Sequence, residues 1–391
     1  MVAKKHRAKP IPPNQSFEEF AEFIRSIISD EQPNEEALRR VFTVFDKDND
    51  GVLDETESEK ANQKIVEQIN SLRSGFILVD FQNDFVDGSL GIKHGRAKQD
   101  PYDAIPKIND LLNRHDDFDM VVYTLDWHPQ NHISFYEHCR NNDRSLQKFD
   151  RQRKLKPFDI VSFEEPSLRQ VLYPSHCTMN SWGAALHDDI VKVESSKYVT
   201  KGSAVYVDSY SGFADNTGQN KTELEHILRE DGINALFICG LALDICVAST
   251  TRDAAKLKFF TCVVEDCSKG LSEDQIKKTK DELRGRNVPY VTSDIVKAFL
   301  DEGKVPWLWV CHMVGLGERR HRRHRHRSHH NQSRSSSETS IEDGEVQIKG
   351  HGPTRELLSD NGLNVVDGSS DVNSSENGEK VEDDGKQEGS E

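Results

Sequence analysis

The chain has 391 residues and a formal net charge of −16, a length that allows two or three domains. No apolar stretch approaches the length of a membrane span, and residues 1–13 are basic and proline-rich without the apolar middle of a secretory signal. The 7 cysteines show no paired spacing, which fits a reducing compartment and predicts a cytoplasmic protein, with the nucleus as an additional compartment.

The first predicted elements form a small helical module over residues 16–72, preceded by a flexible N-terminus over residues 1–15. Apolar residues recur at helical spacing over 17–33 and 36–45, and a charged helical pattern runs from 56 to about 72. The segment between the second and third helices is acidic. It carries oxygen-bearing side chains at loop positions 1, 3, 5, 9 and 12 and a glycine at position 6.

This loop resembles an EF-hand, and the resemblance implies a calcium site. An acidic turn that binds no ion is the alternative interpretation. EF-hands usually pair, and the helical segment at 17–33 is a candidate for a degenerate partner hand. The implied calcium ligands are Asp46, Asp48, Asp50, Asp54, Glu57 and the backbone carbonyl of Val52.

Three polar side chains stand where predicted strands run into loops. Asp80 follows the apolar run 76–79, Lys201 ends a β-rich run, and Cys246 follows the run 236–239. Because ligands bind at the carboxyl ends of parallel strands, these side chains are expected to meet in one pocket. A helix start and the Lys201 cation would lower the pKa of the Cys246 thiol, and Asp80 would take its proton.

A second constellation lies between these positions in the chain. Asp126 and His128 follow the predicted strand 121–125, His132 comes next in the same loop, and His176 lies further on. Carboxylate and imidazole groups suit a divalent transition metal such as zinc, iron or manganese, and too few protein ligands leave room for water or substrate. The pattern therefore predicts a catalytic metal site. A hydrogen-bonded loop pair is the alternative for Asp126 and His128.

Strands alternate with helical patterns at 102–115, 222–230, 244–258 and 272–286, which favours a parallel sheet covered on both faces. The predicted fold is a three-layer α/β/α domain with a mainly parallel sheet over residues 73–312. Residues 140–156 are predicted to form a charged connecting segment between the predicted metal ligands and His176.

The last segment, 313–391, changes character. A compact run of arginine and histidine at 319–327 precedes a polar, acidic stretch that cannot bury enough apolar surface to offset chain entropy. We expect this tail to be disordered. The basic run fits nuclear import, RNA contact, adventitious metal binding or a solvated linker, but the acidic tail would compete with phosphate, so nucleic-acid binding is not predicted.

Several short motifs in register carry a resemblance to a known family. These are 79–85 around Asp80, 126–129, 174–177, 201–202 and 240–247 around Cys246. Together they resemble nicotinamidases, within the isochorismatase-like cysteine hydrolases, over residues from about 75 to about 300. The resemblance implies hydrolysis of nicotinamide to nicotinate and ammonia, a step of NAD salvage.

The resemblance also implies roles for individual residues. Cys246 would attack the carboxamide carbon, Asp80 would carry the proton to the leaving ammonia, and Lys201 would orient and polarise the pair. An oxyanion hole would form at a cis peptide between Ala242 and Leu243. A metal held by residues matching the family's ligands would bind the pyridine nitrogen. Those ligands are Asp126, His128 and His176, with His132 as an optional addition.

Further residues match positions that contact the substrate ring. Phe85 and Tyr173 would pack on it, although the position of Tyr173 is commonly tryptophan in the family. Trp182 replaces a more usual proline and is predicted to line the pocket as well.

Two other functions stay open from the sequence. One is an amidase that acts on another small carboxamide, and the other is a calcium-responsive scaffold whose hydrolase domain is inactive. The expected small-molecule partner is nicotinamide, no membrane partner is expected, and a homo-oligomer is compatible with the sequence.

Overall fold

The computed structural model of the chain describes residues 8–317. The predictions for the basic run and the acidic tail concern positions that lie outside the described residues. None of the described helices is both long and apolar enough to cross a bilayer.

The described part of the chain alternates strands and helices. The strands are β1 Gln15–Ser16, β2 Val52–Leu53, β3 Ser74–Val79, β4 Met120–Asp126, β5 Ser145–Leu146, β6 Ile160–Glu165, β7 Leu168–Val171, β8 Lys197–Lys201, β9 Ala235–Leu241, β10 Phe260–Lys269 and β11 Tyr290–Val291. The α-helices are α1 Phe17–Ser26, α2 Glu35–Phe45, α3 Glu55–Ala61, α4 Glu67–Asn70, α5 Asn83–Val86, α6 Ile105–Leu112, α7 Lys148–Gln152, α8 Leu224–Glu230, α9 Ala248–Lys256, α10 Glu273–Arg284, α11 Ser293–Glu302 and α12 Trp307–Met313. Asn62–Val66 and Leu243–Val247 are π-helical, and single 3₁₀ turns occur at Ile92–His94, Pro101–Asp103, His115–Asp117 and Tyr136–His138.

The central sheet has six parallel strands in the order β11-β10-β9-β3-β4-β8. Its middle strand β3 is apolar at every position after Gly75, as expected for a strand that is buried on both faces. Phe76 and Leu78 pack into a core on one face, whereas Ile77 and Val79 pack into a core on the other. The predicted α/β fold with a mainly parallel sheet is confirmed.

Helices cover both faces of this sheet. Helices α6, α11 and α12 contribute to the first core, and α8, α9 and α10 lie on the side of the second. The carboxyl ends of β3, β4, β8 and β9 therefore open at one edge between two helical layers, where a parallel sheet binds its ligands.

The charged connecting segment that was predicted at 140–156 is partly folded. Strands β5, β6 and β7 form a separate antiparallel sheet, and helix α7 lies in the same segment. A third, smaller core that includes Leu146, Phe163 and Leu172 supports it. This sheet carries the chain from the end of β4 towards Tyr173 and His176.

The N-terminal helices pack around an aromatic cluster. The ring of Phe42 meets Phe17 at 5.6 Å and Phe20 at 5.5 Å, both edge to face. Ser16 starts α1 with a capping box, because its hydroxyl accepts from the Glu19 N–H while Glu19 accepts from the Ser16 N–H. Strand β1 pairs antiparallel with β2 of the acidic loop.

These helices share one continuous core with the first face of the central sheet. The Val305 N–H donates to the Ile27 carbonyl at 2.9 Å, and the Ser29 N–H donates to the Val305 carbonyl at 3.0 Å. Trp309 of α12 is fully buried and donates its indole N–H to the Thr261 carbonyl on β10 at 3.0 Å. The α12 segment thus joins the helical module to the sheet.

At two predicted boundaries the described residues differ from the expectation. The N-terminus was expected to be flexible over residues 1–15, but Ile11 is buried, and its N–H and carbonyl are hydrogen-bonded to the Asn62 side-chain amide. The tail was expected from residue 313, but Met313 belongs to α12 and is buried because it packs into the shared core.

Candidate active site and acidic loop

The structure brings the acid, the amine and the thiol into contact. Asp80 follows β3 directly, and its carboxylate accepts a hydrogen bond from the Thr124 hydroxyl at 2.8 Å. The Lys201 ammonium lies 2.8 Å from Asp80 Oδ2 and 3.6 Å from Cys246 Sγ. All three side chains are almost fully buried. Their catalytic roles stay a prediction, but their predicted convergence at the strand ends is what the fold produces.

Lys201 also contacts the second constellation. Asp126 is its register partner on the neighbouring parallel strand, and the ammonium contacts Asp126 Oδ1 directly. The third partner is the Ser209 carbonyl at 2.9 Å. Burial disfavours the charged amine, but the two carboxylates outweigh it and raise the pKa of Lys201 well above its usual value. The amine is therefore a fixed cation.

The two carboxylates respond to this environment in opposite directions. Burial raises the pKa of Asp80 to about 6, against the lowering effect of Lys201. Burial acts the same way on Asp126, but Lys201 and His128 together hold the pKa of that carboxyl below its usual range. Asp80 is consequently the group of the pair that can exchange a proton near neutral pH.

The turn that carries Cys246 differs from the prediction in two respects. The non-proline cis peptide joins Leu241 to Ala242, one bond before the predicted Ala242–Leu243, because the chain leaves β9 at Leu241 and the helical turn already begins at Leu243. Cys246 lies in that π-helical turn and not in the first turn of an α-helix. Burial raises the pKa of the Cys246 thiol well above its usual value and outweighs Lys201, which lowers that pKa as expected.

The predicted metal ligands converge on one point. Asp126 Oδ2 lies 3.6 Å from His128 Nε2 and 4.0 Å from His176 Nε2. The other ring nitrogen of each histidine lies near a backbone carbonyl, Gly202 for His128 and Pro174 for His176, at 2.8 Å in both cases. Such contacts fix the ring orientation and leave both Nε2 atoms facing the carboxylate.

Two neighbours make this arrangement rigid. Gly202 has a φ of +69°, and a Cβ at this position would lie 2.4 Å from the His128 ring, so glycine is needed here. Gln82 clamps the main chain of Asp126: its side-chain amide donates to the Asp126 carbonyl and accepts from the Asp126 N–H, each at 2.8 Å. Gln82 belongs to the 79–85 motif around Asp80, but the sequence alone does not show its role, because that role depends on contact with Asp126, which is distant in sequence.

His132 occupies a different position from the three converging groups. Its ring stacks on His128 with centroids 4.2 Å apart, and its Nδ1 lies 2.7 Å from the Ser134 hydroxyl. Burial, followed by the nearby His128, lowers the pKa of His132 to about 3. It forms a second group with His128 and Asp208 and does not join Asp126 and His176.

A cavity connects the thiol to the metal ligands. Phe85 and Tyr173 line it as predicted by resemblance, and each ring also packs against His176, at 5.6 and 5.7 Å between centroids. Trp182 was predicted to line the cavity, but its side chain is 60% exposed because a turn directs it outward, with the Trp182 carbonyl held by Asn83. The lining comprises Phe85, Leu90, Ile92, Asp126, Tyr173, His176, Asp208, Tyr210, Ala242, Ile245, Cys246 and Leu271.

Asp208 and Tyr210 were missed from the sequence. They lie in the irregular segment after β8, where no strand end or spacing marks them. Asp208 accepts from the Gln170 amide of β7 at 2.9 Å, and the Tyr210 hydroxyl lies 3.4 Å from that of Tyr173. Through these contacts the antiparallel sheet reaches the cavity wall.

The site as a whole can support acyl transfer. Cys246, Asp126 and His176 line one aromatic cavity. The Lys201 ammonium contacts Cys246 and Asp126 as well as Asp80, the carboxylate of raised pKa. A flat aromatic molecule in the cavity would meet the thiol and the metal ligands at the same time.

The acidic loop between α2 and α3 brings three carboxylates together. Asp46, Asp48 and Glu57 offer oxygen atoms within 4.8 Å of one another. Asp46 is 8% exposed, and its Oδ1 is buried without a hydrogen-bond partner. Glu57 is also buried, and Gly51 turns the loop with a φ of +87°. A buried carboxylate oxygen without a hydrogen-bond partner lowers the stability of the fold, unless a bound cation acts as its partner.

Comparison with known proteins identifies relatives of the hydrolase segment. The model of the isochorismatase domain matches residues 74–295. The nicotinamidase of Saccharomyces cerevisiae is 32% identical over 229 residues, covering 55% of this chain and 97% of the yeast protein. The nicotinamidase of Acinetobacter baylyi is 36% identical over 195 residues, covering 50% and 80%. The structure of a nicotinamidase/pyrazinamidase from Acinetobacter baumanii matches with a TM-score of 0.49 at 31% identity, covering 57% of this chain and 98% of that chain.

Replacing Lys201 by methionine tests the electrostatics of the site. The variant leaves Asp80 and Asp126 buried without their cation, so we expect a loss of about 3–5 kcal/mol in the free energy of unfolding at pH 7. The loss should shrink as the pH falls towards 5, because without Lys201 the pKa of Asp80 rises further and protonation removes one of the two charges. Urea unfolding at several pH values measures this.

Lys197→Met on the same strand is the matched control, since Lys197 is exposed. Equal losses in the two variants would show that the buried ammonium does not stabilise the carboxylates.

Proposed function

The chain belongs to the isochorismatase domain family and is an amidohydrolase, and from that premise we propose that it hydrolyses nicotinamide to nicotinate and ammonia in NAD salvage. Three relatives that match the hydrolase segment at 32 to 36% identity are nicotinamidases. The observation that carries the proposal is that Cys246 and His176 line one cavity whose walls include Phe85 and Tyr173. A pyridine carboxamide has a ring for the aromatic walls and a carbonyl for the thiol.

In the proposed reaction Cys246 Sγ attacks the carboxamide carbon while Asp80 takes the thiol proton. The raised pKa of the thiol means that Asp80 acts as a general base during attack. The carbon–nitrogen bond then breaks, the nitrogen leaves as ammonia with the proton from Asp80, and a thioester remains on Cys246. Asp80 next removes a proton from water, which attacks the thioester, releases nicotinate and restores the thiol. Lys201 keeps Asp80 and Cys246 oriented throughout.

A divalent transition metal, zinc before iron or manganese, fits the residues beside the thiol. Asp126, His128 and His176 present one carboxylate oxygen and two ring nitrogens that lack other partners on that side, which is the donor set such metals prefer. Three protein ligands leave an open position, and a metal bound there would supply a Lewis acid for the pyridine nitrogen. The chain's own part is to hold the ring with Phe85 and Tyr173.

We also propose that the acidic loop binds calcium. The support is the unpartnered Asp46 oxygen together with the ligand pattern of the loop. Hydrogen bonds within the loop support its shape: Glu57 accepts from the Lys47 N–H at 2.6 Å, and Asp50 accepts from the Val52 N–H at 2.8 Å. The proposed ligands are Asp46, Asp48, Asp50, Val52, Asp54 and Glu57.

Ammonia release from nicotinamide tests the proposed activity. We expect turnover by the metal-replete protein, its abolition in Cys246→Ala, and a loss of at least about 100-fold in Asp80→Asn, because each removes a group that handles the reacting atoms. Cys239→Ala is the matched thiol control, since Cys239 is buried in the core on β9, the strand that leads to Cys246, and does not line the cavity. Turnover of another carboxamide but not of nicotinamide would overturn the substrate; no turnover of either would favour a scaffold.

The pH profile tests the role of Asp80. Because the carboxylate form must accept the thiol proton, kcat/KM should fall as the pH drops below about 6, the pKa of Asp80, by roughly tenfold for each pH unit. Ammonia release measured at low substrate from pH 8 downwards shows this limb. A profile that stays flat through pH 5 would remove Asp80 from the proton transfer.

Calcium should stabilise the whole described domain, because the helical module and the sheet share a core. At a free concentration of 100 times the dissociation constant, bound calcium adds about 2.7 kcal/mol to the free energy of unfolding. We expect calcium to raise the midpoint of thermal unfolding in a single transition and to raise the survival of nicotinamide turnover after heating. Asp46→Ala should abolish both effects.

Glu55→Gln is the control, since Glu55 is an exposed acidic residue of the same loop outside the proposed ligand set. A shift of equal size in the parent and in Asp46→Ala would remove the calcium site.

A further inference from the structure

We infer that Asp84 is a positioning residue for the metal ligands, because its carboxylate holds the main chain next to His176 against the segment that carries Phe85 and Leu90. The inference rests on the proposed function in one respect: it takes Asp126, His128 and His176 as the metal ligands. Asp84 is not among the residues that line the cavity, and within the described part of the chain its hydrogen bonds go to groups other than the thiol, the ammonium and Asp80.

The two carboxylate oxygens, the N–H and the carbonyl of Asp84 all form hydrogen bonds, each to a different residue. One carboxylate oxygen accepts from the Cys177 N–H at 2.6 Å, and the other accepts from the Ser89 N–H at 3.1 Å. The Asp84 N–H donates to the Gly183 carbonyl and the Asp84 carbonyl accepts from the Leu90 N–H, each at 3.0 Å. One residue therefore ties the loop before α6 to the loop that carries His176.

The contact with Cys177 is the one that bears on the metal. Cys177 has a φ of +46°, a left-handed conformation that costs a residue with a side chain of order 1 kcal/mol. Its carbonyl accepts from the His128 N–H at 3.0 Å, and the His128 carbonyl accepts from the Met179 N–H at 2.8 Å. Asp84 thus holds a strained residue that lies next to one histidine in sequence and is bonded to the other.

The space around the carboxylate allows no alternative position. A Cβ built on Gly183 would lie 2.0 Å from Asp84 Oδ2, and one built on Gly88 would lie 2.2 Å from Asp84 Oδ1. Two glycines therefore let the main chain close on the carboxylate from both sides. Because both of its oxygens accept backbone N–H bonds, an asparagine of the same shape must lose one of them and place an NH₂ group against an N–H.

The test compares Asp84→Asn with Asp87→Asn. Asp87 lies in the same segment, and its change to asparagine removes the same charge. Its carboxylate accepts from the Tyr102 hydroxyl at 2.7 Å and does not contact the loop that carries His176. Cobalt(II) is the probe metal, since its absorption spectrum reports ligand geometry directly. We expect Asp84→Asn to weaken cobalt binding by about 10–100-fold, to change the cobalt spectrum and to raise KM for nicotinamide.

Two further readouts separate positioning from general damage. The rate at which iodoacetamide alkylates Cys246 in metal-free protein should be the same in Asp84→Asn and the parent, because Asp84 does not touch the thiol. Gly183→Ala reaches the same contact without altering the carboxylate, since its methyl group must displace Asp84 Oδ2. It should reproduce the cobalt effect, and the double variant should be little worse than either single one.

Cobalt affinity that is unchanged in both Asp84→Asn and Gly183→Ala, or equally weakened in Asp87→Asn, overturns the inference. If the parent protein binds no cobalt, both the inference and the proposed metal site are wrong. If cobalt binding behaves as expected but no preparation hydrolyses nicotinamide, the positioning role stands and only the proposed substrate fails.

Discussion

The buried ammonium of Lys201 is the interaction on which the site depends. Asp80 and Asp126 both lie in the interior, close to each other. Without a cation between them, the two carboxylates would not both stay ionised. Lys201 satisfies both and adds the Ser209 carbonyl as a third partner. Because Asp126 also faces the two histidines, one electrostatic unit holds both the proposed catalytic groups and the proposed metal ligands.

The sheet order explains why that unit can form from residues far apart in sequence. Strands β9, β3, β4 and β8 are consecutive neighbours, and they lead to Cys246, Asp80, Asp126 and Lys201 respectively. Parallel pairing puts all four at the same edge, and register places Asp126 directly beside Lys201. Glycine permits the closest approach, since a Cβ on Gly240 would lie 2.1 Å from the Val79 carbonyl oxygen.

Features that depend on local sequence could be predicted, and features that depend on distant contacts could not. The apolar run before Asp80 and the β-rich run before Lys201 mark strand ends, so their convergence followed from the parallel topology. The clamp by Gln82, the cavity wall at Asp208 and the outward turn at Trp182 depend on pairings with residues many positions away. The antiparallel strands β5, β6 and β7 are short, and their mutual pairing and a small core stabilise them as strands. The raised pKa of the Cys246 thiol is of the same kind, because burial is a property of the folded chain.

The shared core would connect a calcium ion bound at the acidic loop to the hydrolase without any change of shape at the cavity. Strand β2 of the acidic loop pairs with β1, which leads into α1, and the chain after α1 exchanges backbone hydrogen bonds with Val305. Asp30 in that segment accepts from the Trp307 N–H at 2.8 Å, and Trp309, two residues later, is bonded to β10. Unfolding the helical module would therefore expose the face of the sheet against which α12 packs. An ion that binds only the folded loop must stabilise both parts, because the two share the interior that unfolding would open.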